Sequence, residues 1–138
     1  MSIKTETPIT AERVPEEKRL DFLPSLFGRH YMRGEMLVYS YMEKLCNAYN
    51  GGYWEFYQLN NGGGFLVPSM TGPLQICWPD NCFEAEMSTE AAGITASLFA
   101  LNRIANESGE DARIEQYYTL LDFALEHPEG SRIRAAID

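Results

Sequence analysis

Two histidines, three cysteines and a group of strand carboxylates are the side chains with chemistry to offer. Cys77-x4-Cys82 has spacing that suits two zinc ligands, but a structural zinc takes four nitrogen or sulfur ligands. The other candidates, Cys46, His30 and His127, fall in three different predicted elements. The competing readings are a reduced cross-strand cysteine pair or a reversible disulfide. Three cysteines are an odd number, and too few for a disulfide scaffold. No metal and no cofactor are expected.

Nucleophilic catalysis needs a nucleophile, a base and an orienting group. His30 lies beside Arg29 and Tyr31 in a loop-like segment. His127 falls at a predicted helix C-terminus, where a cation interacts well with the helix dipole. Glu84 and Glu86 are two apart on a predicted strand and share one face. A glycosidase pair occupies a cleft, and nothing here suggests one, so the two glutamates read as a solvated or partner-contacting face. Gly62-Gly63-Gly64 lacks a following Lys-Ser/Thr and opens no helix, so it reads as a turn and not as a phosphate loop. Tyr49, Tyr53, Trp54, Phe56 and Tyr57 could stack bases, but that mode needs a basic groove. They read as core and edge packing.

Charge narrows the partners. The 138 residues carry 20 acidic and 11 basic side chains, a net charge of -9. Residues 1–33 hold six basic and five acidic residues; the remainder holds five and fifteen. No Lys or Arg lies between Lys44 and Arg103. Strong direct DNA binding is not expected, because phosphates need a Lys/Arg surface. Full DNA mimicry is also disfavoured. A compact chain of this length is about 37 Å across, and duplex DNA of that length carries about 22 phosphates. No apolar run approaches a membrane span, and the first eight residues lack an apolar signal core. A cytoplasmic protein without membrane contact is expected.

The elements that would position these residues follow from periodicity. Residues 1–13 lack a hydrophobic period and are expected to form a flexible tail, with one domain over 14–138. Pro15 opens a short helix that faces the core with Leu20, Leu23 and Phe27 and is broken by Pro24 and Gly28. Residues 34–50 form a helix with a stripe of Val38, Tyr41, Met42, Leu45 and Tyr49. Two hairpins follow, over 53–67 and 74–87. In the second, Leu74, Ile76 and Trp78 face one way with Phe83, Ala85 and Met87, which fixes the register parity. Pairing Cys77 with Cys82 and Gln75 with Glu84 satisfies it. Ser88 or Thr89 caps the next helix, which buries Ala91, Ile94, Leu98, Leu101 and Ala105. Beside that stripe runs a small-residue row, Ala92, Ala96 and Ala100; Gly93 in the same helix is explained by close packing. Ser108 and Asp111 suggest a capping box for a helix facing the core with Ile114, Tyr117, Tyr118, Leu121, Ala124 and Leu125. The predicted class is α+β: a four-stranded antiparallel meander flanked by helices, with N- and C-terminal helices packed on one face.

Several stretches are similar to one known family. Arg19-Leu20-Asp21-Phe22-Leu23-Pro24 with Phe27-Gly28 resembles the N-terminal signature of antirestriction proteins of the ArdB/KlcA type. Asn50-Gly51-Gly52-Tyr53-Trp54-Glu55-Phe56-Tyr57 resembles their central aromatic motif, and Asn61-Gly62-Gly63-Gly64-Phe65 the turn after it. Ala91-Ala92-Gly93-Ile94, Ser97-Leu98-Phe99-Ala100-Leu101, Asp122-Phe123-Ala124 and Glu126-His127-Pro128-Glu129 follow in the family's order, as does Ile137-Asp138. The resemblance runs from about Val14 to the end. It implies a small α+β protein of plasmids and other mobile elements that interferes with type I restriction–modification enzymes. It brings no catalytic or binding residue with it, and Cys77 and Cys82 are outside its pattern.

The leading expectation is therefore a non-enzymatic inhibitor that contacts the type I restriction–modification complex or a host factor it needs. Charge distribution alone assigns the contact face to Asp80, Glu84 and Glu86, followed by Glu90. The rivals are a nucleic-acid-binding accessory protein using Lys18, Arg19, Arg29 and Arg33, and a small hydrolase using His30 or Cys46.

Overall fold

The computed structural model describes residues 8–138. Strand β1 (Ala11–Arg13) leads through a 3-10 turn at Glu16–Lys18 into helix α1 (Arg19–Phe27) and helix α2 (Tyr31–Leu45). Strands β2 (Trp54–Leu59), β3 (Gly64–Pro68), β4 (Leu74–Trp78) and β5 (Phe83–Met87) come next, then helices α3 (Thr89–Ser108), α4 (Asp111–Glu126) and α5 (Gly130–Ile137). The class is α+β, as expected. Among the described residues no helix is long and apolar enough to cross a membrane.

The strands do not form one four-stranded meander. They form two antiparallel sheets, β1-β2-β3 and β4-β5. The reason is visible at β3. Its edge away from β2 is occupied by α3, where Ser97 Oγ accepts the Leu66 N–H at 3.1 Å. Gly93 permits this approach, since a Cβ there would lie 2.3 Å from the Leu66 carbonyl oxygen. A helix thus covers the edge where β4 would have paired. All five residues of β3 are buried as a result.

The expected tail over residues 1–13 lies partly outside the described residues. Its last three residues are strand β1, with Ala11 opposite Leu59 and Arg13 opposite Tyr57. Asn60 holds this strand at its start: its Oδ1 accepts the Thr10 N–H and its Nδ2 donates to the Pro8 carbonyl.

Helix α1 keeps Phe27 in the core and Leu23 packed against it, as predicted, but not Leu20. Phe22, Leu26 and Phe27 are buried, whereas Leu20 is 91% exposed. Pro24 lies inside the helix without ending it. It forfeits only the bond to the Leu20 carbonyl, on the exposed side. Gly28, at φ +59°, ends it.

The family-like motifs meet in the core. Phe22 stacks on Phe56 at 5.1 Å between ring centres. The Arg19 guanidinium lies 3.9 Å from the Phe56 ring centre and 4.7 Å from that of Tyr53, and donates to the Trp54 carbonyl. Trp54 Nε1 donates to the Tyr49 hydroxyl at 3.0 Å. Tyr49, Trp54 and Phe56 are buried and Tyr57 is half-buried, so these four are packing, and Tyr53 is the exposed ring of the motif.

Candidate partner-contact face

The β4–β5 hairpin keeps the predicted parity but shifts the pairing by two residues. Cys77 pairs with Glu84 and Gln75 with Glu86. Cys82 is excluded from the ladder, because a 3-10 turn at Pro79–Asn81 precedes it and its φ is +60°. Cys77 and Cys82 are therefore not cross-strand partners, and all three cysteines are free.

Ile76 and Met87 are buried inward, leaving Gln75, Glu84 and Glu86 on the exposed outer face. Glu84 and Glu86 lie about 7 Å apart at ~3.4 Å per residue. Asp80 is exposed in the turn at the hairpin tip. Among the described residues, none of these three carboxylates has a basic partner within 4 Å. The tip is anchored by Asn81. Its Nδ2 donates to the Ala135 and Ala136 carbonyls at the end of α5, and its Oδ1 accepts the Phe83 N–H. Arg132 of α5 donates to the Glu86 carbonyl at 2.9 Å.

Glu90 does not join this face. It sits in the first turn of α3 and accepts from His127 Nε2 at 2.7 Å. The other ring nitrogen, Nδ1, accepts the Glu129 N–H at 3.0 Å. This pair of bonds defines a neutral imidazole protonated at Nε2. Ser88 lies beside it, capping α3 by accepting the Ala91 N–H. Both its N–H and its hydroxyl donate to the Glu129 carboxylate, at 2.9 and 2.5 Å. Burial favours the neutral acid at Glu129, but the Ser88 hydrogen bonds and the nearby Arg132 outweigh it and lower its pKa. A depression of ≈ 660 Å³ thus holds serine, histidine and glutamates. Their bonds are those of a helix cap, because both ring nitrogens of His127 are committed and neither reaches Ser88.

His30 and Cys46, the alternative candidates of the hydrolase reading, lie apart. Cys46 is 1% exposed just beyond the C-terminal end of α2. His30 precedes the helix start, about 24 Å away along the axis at ~1.5 Å per residue. His30 Nε2 instead donates to Glu110 Oε2 at 3.2 Å, where Arg29 also converges at 3.1 Å. The hydrogen bond from His30 leads in lowering the Glu110 pKa, with Arg29 and Arg113 adding to it against burial.

The predicted basic group is dispersed as well. Arg19 is stacked on aromatic rings. Arg29 pairs with Glu110, and Arg33 forms a two-bond pair with Glu107 at 2.7 and 2.6 Å.

The fold and the composition define a class: a small acidic α+β protein. Residues 47–138 match the model of the antirestriction protein family. Over 138 residues the chain is 47% identical to the antirestriction protein KlcA of Escherichia coli, covering 96% of this chain and 97% of that one. It is 38% identical over 139 residues to the uncharacterized protein YafX of Escherichia coli K12, covering 96% and 90%. A solved structure from work on the KlcA and ArdB proteins superposes with a TM-score of 0.87 at 48% identity, covering both chains fully. That work describes a novel fold and antirestriction activity against type I DNA restriction systems in vivo but not in vitro. The chain belongs to the antirestriction protein family.

Proposed function

We propose that this chain is an antirestriction protein that inhibits type I restriction–modification in the cell and so protects incoming plasmid or mobile-element DNA. It does so by protein contact and not by catalysis. The observation that carries this reading is the full-length likeness, in sequence and fold, to proteins with that activity. The activity described for those relatives in vivo but not in vitro supports a partner supplied by the cell: the restriction complex in its cellular assembly, or a host factor. The outer face of β4–β5, with Asp80, Glu84 and Glu86, is the proposed contact, since its unpaired carboxylates suit a basic protein surface.

The test is phage plating on paired hosts, one with an active type I system and one without, each with and without the protein. Increased plating on the restricting host alone is expected. Equal plating with soluble protein present would overturn the reading for that system.

A further inference from the structure

On α4 only part of the apolar surface is buried. Arg113, Leu120 and Ala124 are buried against the rest of the fold. Ile114, Tyr118 and Leu125 are 38%, 56% and 48% exposed, with half-buried Leu121 among them. At ~100° per residue these four lie within about 60° of one another, and their centre is about 100° round the helix from the buried line.

Alongside this stripe runs a second row. Asp111, Glu115, Asp122 and Glu126 fall within the next ~60° of the helix circumference, and all four are exposed. The basic residue of α4 is the buried Arg113. Among the described residues, none of the four acids has a basic partner within 4 Å. Exposed apolar stripes with a polar rim mark interaction surfaces, and here the rim on one side has a single sign.

We propose that the outer face of α4 docks a basic amphipathic helix of a partner protein. Its apolar residues would seat on Ile114, Tyr118 and Leu125, and its Lys/Arg row would lie along the four carboxylates. Charge complementarity selects this occupant. A second copy of this chain would bring four more carboxylates to the seam, and the basic residue of its α4 is the buried Arg113. Nucleic acid and anionic membranes are repelled by the same row. The 16 residues of α4 span about 24 Å, which matches a partner helix of about four turns. This surface is separate from the hairpin face and does not depend on the antirestriction reading.

The probe is a fluorescent Leu/Lys amphipathic peptide of about 18 residues, titrated with the full chain at low salt and at about 0.15 M. The wild type is expected to bind. The pairs Ile114→Ser/Leu125→Ser and Glu115→Lys/Asp122→Lys are each expected to weaken binding at least tenfold, with unchanged urea midpoints. Glu17→Lys/Glu43→Lys, an equal charge change at exposed side chains outside both faces, is expected to bind as the wild type does, and the same peptide with Glu in place of Lys to stay free. The proposal is overturned by absent binding up to about 1 mM, by equal binding to the α4 variants, or by equal weakening in the Glu17→Lys/Glu43→Lys variant. Dimerisation of the chain that Leu125→Ser abolishes would also overturn it, and would assign the stripe to a second copy.

Discussion

The Ser97 hydroxyl accepts the Leu66 N–H at 3.1 Å, one helical turn from Gly93, whose backbone lies against the Leu66 carbonyl. A helix side chain thus takes the place of a neighbouring strand. Ser97→Ala leaves a buried donor without a partner, at a cost of about 1–3 kcal/mol. Gly93→Ala is worse, because the atom it meets is backbone and cannot rotate away. Urea denaturation should order the midpoints as wild type, then Ser97→Ala, then Gly93→Ala. A neutral Gly93→Ala would contradict the packing.

Arg113 closes the C-terminal end of α1. Its Nη1 donates to the Leu26 carbonyl, one of the helix's orphan acceptors. Gly28 makes room, since a Cβ there would lie 3.2 Å from Arg113 Cζ at a φ of +59°. Arg113→Met should cost about 2 kcal/mol through the lost charged hydrogen bond. Gly28→Ala should destabilise through both strain and crowding. Thermal melts read both, and an unchanged Arg113→Met midpoint would remove this role.

Glu107 joins α2 to α3. Hydrogen bonds from Arg33 and then Arg103 hold its carboxyl down at about 2, against an ordinary value of 4.5. A depressed carboxyl contributes stability above its unfolded pKa and loses it as pH falls through the folded one. Its contribution should therefore be intact above pH 4.5 and vanish towards pH 2. Glu107→Gln should flatten this part of the acid denaturation curve. A curve of unchanged slope would show that the pair does not persist in solution.

His127 should carry its proton on Nε2 at neutral pH, because Nδ1 accepts a backbone N–H and Nε2 faces Glu90. Nitrogen-15 chemical shifts of the ring distinguish the two tautomers directly. A protonated Nδ1 would mean that the cap is built differently.

Glu84→Lys/Glu86→Lys should leave stability within about 0.5 kcal/mol, as exposed substitutions do. It should also reduce protection in the plating assay by at least tenfold. Full protection by a folded double variant would eliminate this face.

How much of this was legible depended on the kind of signal. The hairpin parity was legible, because alternation of Leu74, Ile76 and Trp78 leaves two choices and one buries the wrong set. The two-residue shift was not, because both registers share that parity and the left-handed Cys82 decides between them. The split of the sheet was hidden for a similar reason. Gly93 and Ser97 read as small packing residues until Leu66 is seen beside them. On α4 the period found Ala124, which is buried, and Tyr117 and Leu121, which pack against the core, but Ile114, Tyr118 and Leu125 of the same set are exposed. The period locates a stripe without saying how much of it a neighbour covers, and Leu120 and Arg113 complete the buried side. Among the proposed contact residues, Glu84 and Glu86 share a face as their spacing required. Glu90 is drawn away by His127, a partner 37 residues later.

The cover over β3 also has a timetable. Leu66 and Ser97 are 31 residues apart, so the first hairpin leaves the ribosome before its lid exists. At ~5–20 residues per second, the delay is roughly 2–6 s. During that interval Phe65, Leu66 and Val67 form an apolar strand with one unpaired edge, the kind of segment that chaperones hold and aggregates recruit. Synthesis speed between codons 66 and 97 thus becomes a determinant of yield, and silent changes that slow that stretch extend the hazard.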